Sequence, residues 1–418
     1  MKLYHCLFIT AIVSAGTASG TASAGHTDPL VRGMLLRSVP LGHLEPDEII
    51  ARLQSEGADT SAVRLPIDLY RLEYRTIDAQ QQPTIASGLV AVPDDHARTS
   101  IVISFTHGTE PSRSGGPSRA LEIDNNFGIV PALAYASAGF VVSEPDYLGL
   151  GTGLGLHPYM DVPSETTATL DMLRAARQFT EQQQRRLARR ALVTGFSQGA
   201  FAALGLAREL GRGGDAWFRV GAVAPISGPY HGSQWVHDAI AAGGGVDSEV
   251  TTVDPKGATM YLAYLSVAWN RLHRLYATPS AWYQAPYADS IDAFMDGSHE
   301  VPEILQFLPG RPSDLFTRDA IAAFRHPSGR LAAAFDVLDR TCEFTATAPV
   351  RLFAASGDLD VAIDFSRQCR GQLAARGSRV ELIDVGDVGH LGSNIASTAQ
   401  VLSWFSALRD RRDGAADD

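Results

Sequence analysis

The sequence predicts an α/β protein: a mostly parallel, doubly wound sheet with an inserted helical cap. Two observations predict the sheet. Short, almost wholly apolar runs, Ile101 to Phe105, Phe140 to Ser143, Ala191 to Thr194, Val220 to Ile226, Val350 to Ala354 and Val380 to Ile383, lack the alternation of a strand with one wet face. They belong to strands covered on both sides. Between them stand helical periodicities, such as Ala168, Met172, Ala175, Ala176 and Phe179 on one helix face. Strand and helix in alternation imply right-handed crossovers and a parallel sheet. A third observation predicts the cap. From about Tyr230 to Asp339 no strand pattern is visible, whereas helical segments carry Trp235, Tyr261, Tyr264, Trp269 and Trp282. That interval is too long for a bare loop.

Taken in order, the elements begin with an export signal: Lys2 gives the positive start, Leu3 to Val13 the apolar stretch, and Ala22-Ser23-Ala24 a small-residue cleavage site. Residues 25–62 read as a peripheral segment with a helical patch around Glu45 to Leu53. Leu69 to Ile77 and Thr84 to Val92, rich in β-branched and aromatic residues and separated by a polar stretch, predict a hairpin at the sheet edge. The expected organisation is a signal peptide over 1–24, a first core part over 63–229, a helical cap over 230–340, a second core part over 341–410 and a disordered tail over 411–418. Arg185, Arg186, Arg189 and Arg190 read as a solvated helix C-terminus, where cations suit the macrodipole.

Composition narrows the function. A net charge of −11 supplies no clustered basic field, so no nucleic-acid partner is expected. Of the 3 cysteines, Cys6 lies in the signal and would leave with it. Cys342 and Cys369 then remain as a pair in an oxidising compartment, secreted or periplasmic, and should form one disulfide. No metal-ligand spacing is visible, so no metal is expected.

Gly195-Phe196-Ser197-Gln198-Gly199 sits between an apolar strand and the small-residue helix that opens with Ala200. This is the strand-turn-helix setting of a nucleophile elbow, in which glycines flank the serine because a Cβ would meet neighbouring backbone. A serine hydroxyl needs a base. His390 is the candidate, since Gly389-His390-Leu391-Gly392 follows the last expected strand and can reach over the sheet's carboxyl edge. His107 and His157 precede Ser197, against the serine, acid, histidine order of this architecture. Asp358 and Asp360 both lie on the loop after Val350 to Ala354. Asp360 is preferred as the acid, its spacing between Gly357 and Ile363 resembling a Gly-x-x-Asp-x-x-Val pattern, and Asp358 is the alternative. Acyl transfer also needs donors for an oxyanion. Gln198 supplies one backbone N–H, and Thr109 in the loop Thr106-His107-Gly108-Thr109-Glu110 is assigned the second, with Gly108 and Glu110 as alternatives. His107 is expected to brace that loop.

In motif order, the stretch Val102 to Thr109, then Glu144-Pro145-Asp146-Tyr147-Leu148-Gly149, then His157-Pro158-Tyr159 and the Ser197 elbow resemble the secretory lipase group of α/β-hydrolases, related to fungal lipase A. The resemblance implies the α/β-hydrolase fold, ester hydrolysis, a cap between the sixth and seventh core strands and no cofactor. The His-Gly oxyanion loop departs from the fungal pattern, and Asp146-Tyr147 reads as structural. The expected protein is a secreted serine carboxylic ester hydrolase acting on a small-molecule ester or lipid, with transient contact of the cap with a lipid interface left open. Its rivals are a serine peptidase of the same fold, a reading that a proline- or amine-directed pocket with paired carboxylates would favour, and a non-catalytic binding protein; no such pair of carboxylates is visible in the cap. Oligomeric state, acyl preference and lipase against esterase character are not legible in the residues.

Overall fold

A computed structural model describes residues 31–123, 127–242 and 254–413. The expected signal peptide lies outside the described residues. In chain order the first half comprises β1 (Leu35–Leu44), α1 (Pro46–Ser55), β2 (Ile67–Ile77), β3 (Pro83–Pro93), β4 (Thr99–Thr106), α2 (Val130–Ser137), β5 (Val141–Tyr147), α3 (Val162–Gln182), β6 (Arg186–Phe196), α4 (Gln198–Gly211) and β7 (Arg219–Ile226). Helices α5 (Gly232–Ala242), α6 (Pro255–His273), α7 (Ile291–Phe294), α8 (Val301–Phe307), α9 (Pro312–Leu315), α10 (Arg318–Arg325) and α11 (Gly329–Asp339) follow. The chain then returns to β8 (Val350–Ala354), α12 (Ile363–Ala375), β9 (Val380–Asp384) and α13 (His390–Asp413).

The strands form one sheet in the order β1-β2-β3-β5-β4-β6-β7-β8-β9. Pairing is antiparallel from β1 through β3 to β5, and parallel from β5 onward. The apolar runs inside the sheet are covered on both faces as expected, every residue of β5 being buried, but the run Val380 to Ile383 is not: β9 is an edge strand with no fully buried residue. On one face α3, α4 and α12 pack Leu173, Leu204 and Leu373 against Val102 and Val193. On the other, α1, α2 and α13 pack Ile49, Leu133 and Phe405 against Ile103 and Phe353. A third apolar cluster belongs mainly to α5–α11, around Trp269, Tyr283 and Phe324, and it meets the sheet domain through Tyr159, Phe201 and Val361. Each such large apolar side chain removed from water contributes roughly 1.5–3 kcal/mol, so the inserted helices have a core of their own.

Three expectations need correction. The sheet edge is β1, not the β2–β3 hairpin. Its strand signal is weak because two register shifts, between Leu35 and Arg37 and between Pro40 and Gly42, break the period of two. The basic run is not a helix end: α3 stops at Gln182 and β6 starts at Arg186. Arg185 is buried, donating to Ser100 Oγ at 2.8 Å and to the Pro93 carbonyl at 2.9 Å. The last helix also runs to Asp413, into the segment expected as a disordered tail, and 414–418 lie outside the described residues.

Cys342 and Cys369 are disulfide-bonded across a separation of 27 residues. This ties the end of the helical insertion to α12, and so flanks the loop that follows β8. A closed loop of this length contributes roughly 3–4 kcal/mol by restricting the unfolded chain. Replacing both cysteines by serine should lower Tm by about 4 °C in a chain of this size, given the usual unfolding entropy per residue; an unchanged Tm in scanning calorimetry would contradict the bond.

Candidate functional site

The site lies at the carboxyl edge of the parallel strands, where β4, β6 and β8 hand over to loops. Ser197 joins β6 to α4 with φ 55° and ψ −118°, a backbone that L residues rarely adopt. The strain is held in place from both sides. The Ser197 N–H donates to the Ile226 carbonyl on β7 at 2.9 Å. A Cβ at Gly195 would collide with Thr106 Oγ1, and one at Gly199 with the Thr106 carbonyl oxygen. Thr106 Oγ1 lies 2.7 Å from the Gly199 carbonyl oxygen, fastening the turn to the end of β4.

His390 opens α13, and its ring packs on Phe196 at a centroid distance of 4.7 Å. His390 Nε2 stands 2.9 Å from Ser197 Oγ, and His390 Nδ1 stands 2.7 Å from Asp358 Oδ2. The acid in contact is therefore Asp358, not Asp360. The reason is local. Asp358 turns its Oδ1 back to accept the Asp360 and Val361 N–H groups at 3.0 and 2.9 Å, which fixes the side chain and leaves Oδ2 free for the imidazole. Asp360 instead offers its carbonyl oxygen to Trp235 Nε1–H at 3.0 Å, linking the loop to α5. Burial pushes its carboxyl up, and the nearby His390 opposes that shift.

The expected oxyanion loop lies beside the serine. Tyr147 OH donates to the His107 carbonyl at 3.1 Å, and the two rings meet at 4.4 Å. His107 Nδ1 contacts the Gly108 carbonyl oxygen at 2.7 Å, and burial pushes the imidazole down to about 4, so it is neutral at pH 7. Asp146 accepts from Ser87 Oγ, Ser118 Oγ and Ser118 N at 2.5, 2.6 and 2.8 Å, tying three segments behind the loop. Thr109 Oγ1 meets Tyr159 OH at 2.8 Å, and the Gln198 side chain is buried beneath the elbow. No spacing rule in the sequence singles out Tyr159, although it belongs to the His157-Pro158-Tyr159 motif. Glu165 on α3, whose Oε1 accepts from Gln198 Nε2 at 2.7 Å, is equally invisible, as one carboxylate inside a helical periodicity.

Two spaces flank Ser197. A cavity of about 300 Å³ is walled by Phe105, Phe127, Phe196, Met260, Tyr261 and Val301, with Glu110 also in its wall. Burial, and after it the charge of Glu300, pushes the Glu110 carboxyl up to about 8. A crevice of only about 10 Å³ runs between Thr109, Tyr159, Gln198, Trp235 and Asp360. Its volume is that of a single water-sized sphere. Among the described residues no group of three or more His, Cys, Asp or Glu side chains could hold a metal ion.

Chemically, a hydroxyl, an imidazole and a carboxylate in hydrogen-bonded series can move a proton from oxygen to nitrogen while the carboxylate stabilises the resulting cation. Solved structures share the fold. A putative hydrolase from Legionella pneumophila superposes with a TM-score of 0.81 at 26% identity, covering 92% of this chain and 100% of its own. The rice cell wall degrading esterase LipA from Xanthomonas oryzae gives 0.79 at 25% identity, covering 91% and 99%. Lipase A of Candida antarctica gives 0.59 at 14% identity over 86% and 78%, a likeness of fold. No family model and no curated protein matches the chain.

The turn makes a direct prediction. Gly199→Ala forces a methyl group into the Thr106 backbone, at a cost on the order of 3 kcal/mol or more. Thermal melting should show Tm lower by about 4 °C or more; a melting curve like that of the parent would refute the close approach.

Proposed function

We propose that this chain, which has the α/β-hydrolase fold of the lipase-like group, is an exported serine carboxylic ester hydrolase with Ser197 as nucleophile, His390 as general base and Asp358 as the acid that orients it. The observation that carries the reading is the series of contacts from Ser197 Oγ to His390 Nε2 and from His390 Nδ1 to Asp358 Oδ2, at 2.9 and 2.7 Å. Export is supported by the apolar leader in the sequence and by the disulfide, which needs an oxidising compartment.

In the first half-reaction Ser197 Oγ attacks the ester carbonyl carbon while His390 Nε2 takes the hydroxyl proton. The carbonyl oxygen becomes an oxyanion, received by the backbone N–H groups of Gln198 and Thr109. Collapse breaks the carbon–oxygen bond, His390 returns the proton to the departing alcohol, and an acyl-serine remains. Water then repeats the sequence: His390 removes its proton, the hydroxide equivalent adds to the acyl carbon, and the carboxylic acid leaves as Ser197 regains its proton. Asp358 keeps the proton of the resting imidazole on Nδ1 and leaves Nε2 free to accept. The mostly apolar cavity of about 300 Å³ suits one hydrophobic arm of the ester, at the lower end of the range of ligand pockets. The likeness to LipA, an esterase, supports an ester as the substrate.

Steady-state hydrolysis of p-nitrophenyl esters tests the assignment. Ser197→Ala should reduce kcat by roughly a millionfold and Asp358→Asn by about 10⁴-fold, while Asp360→Asn stays within about tenfold of the parent. If Asp360→Asn were the damaging change and Asp358→Asn the mild one, the acid would be misassigned. The pH profile gives a second check. The Glu110 carboxyl is neutral below about pH 8 and ionises above it, placing a charge in the residue's stretch of the cavity wall. KM for apolar acyl esters should therefore rise above pH 8, and Glu110→Gln should flatten that rise; a rise surviving in the variant would assign it elsewhere.

A further inference from the structure

One short segment touches both residues that carry the oxyanion donors. Gln198 Nε2 donates one hydrogen to Glu165 Oε1 at 2.7 Å and the other to His157 Nε2 at 3.0 Å. The imidazole can accept because its Nδ1 faces the Leu148 carbonyl at 2.9 Å and so bears the ring proton. Glu165 Oε1 also accepts the Met160 N–H at 3.1 Å, closing the network onto the same segment. Two residues along from His157, Tyr159 OH holds Thr109 Oγ1 at 2.8 Å. Residues 157–160 and Glu165 thus grip Gln198 from one side and Thr109 from the other.

The helical insertion holds this grip from behind. Trp269 Nε1 on α6 donates to the Tyr159 carbonyl at 3.2 Å, and the rings of Tyr159 and Tyr264 stack at 4.5 Å. Tyr264 OH in turn donates to the carbonyl of Glu110, next to Thr109, at 3.3 Å. Packing alone does not explain so polar a network. Glu165, Gln198 and His157 are all buried, and Glu165 Oε2 and Gln198 Oε1 find no hydrogen-bond partner among the described residues. Apolar side chains would fill the same space without that penalty.

Building on the proposed ester hydrolysis, we propose that Glu165, His157 and Tyr159 are positioning residues that set the two oxyanion donors, and that α6 fixes their geometry from the inserted helices. Tyr159 sets Thr109, Glu165 and His157 set Gln198, and a displacement of either donor weakens the transition state more than the bound ester. Below about 8 the Glu165 carboxyl, pushed up by burial, is neutral, so glutamine reproduces its acceptor oxygen and its charge.

The test measures p-nitrophenyl ester hydrolysis and the inhibition constants of two ketones in the full chain and in Tyr159→Phe, Glu165→Ala and Glu165→Gln. A trifluoromethyl ketone accepts Ser197 Oγ at its carbonyl carbon, the hydroxyl proton going to His390, and presents a tetrahedral oxyanion. The matching methyl ketone binds as the trigonal carbonyl. In Tyr159→Phe and Glu165→Ala, kcat should fall about 10- to 100-fold with KM within about twofold. The trifluoromethyl ketone constant should rise by the same factor, the methyl ketone constant should stay put, and Glu165→Gln should recover most of the loss. Tyr159→Phe removes only a hydroxyl and keeps the stacked ring, so it answers even where Glu165→Ala fails to fold. Unchanged kcat in Tyr159→Phe, or equal weakening of both ketones, overturns the positioning role while leaving the Ser197 chemistry standing. A parent protein inert towards every ester overturns both.

Discussion

The approach of Thr106 to the turn at Ser197 is the constraint on which the rest of the site depends. At the carboxyl end of β4 the backbone of residue 106 comes so close to the elbow that neither Gly195 nor Gly199 has room for a Cβ. With both flanks closed, Ser197 is held at a positive φ and cannot relax into the helix that follows. The strained backbone is kept because neighbouring strands over-determine it: β4 presses from one side and the Ile226 carbonyl on β7 receives the Ser197 N–H from the other. The same closeness brings the loop after β4 alongside the serine. The proposed nucleophile and the proposed oxyanion loop are therefore set by one contact between adjacent parallel strands.

The partners of Ser197 arrive by longer routes, and each is fixed before it reaches the serine. Asp358 spends one carboxylate oxygen on its own loop, and the Cys342–Cys369 bond closes the chain on either side of that loop in sequence. His390 is carried by the first turn of α13 and packed against Phe196. The side chains are preorganised by burial and local hydrogen bonds, so little ordering entropy is left to lose when an ester enters. The inserted helices add their own constraint through Tyr264 and Trp269, which reach Glu110 and, by way of Tyr159, Thr109.

Most of the sheet was legible because strands buried on both faces write continuous apolar runs, as β4 to β8 do, and the half-buried edge strand β9 still carries Val380, Leu382 and Ile383. β1 was not, since a bulged edge strand with Pro40 and Gly42 has neither a run nor an alternation. The arginines before β6 misled for a related reason: a cation buried by hydrogen bonds, as Arg185 is, looks the same in sequence as one in water. At the site, Ser197 and His390 could be read from local context, and the choice between Asp358 and Asp360 could not. Both aspartates fit the loop, and the decision rests on which side chain folds back onto the N–H groups two and three residues ahead, a matter of dihedral angles rather than spacing. Glu165 and Tyr159 escaped for a further reason, being brought to Gln198 and Thr109 only by the tertiary fold.

A fluorophosphonate that reacts only with an activated serine tests the central claim most directly. Digestion and peptide mass mapping after labelling should find one equivalent of phosphonate, all of it on the peptide that contains Ser197. Absence of label, or label distributed over other serines, would contradict the account.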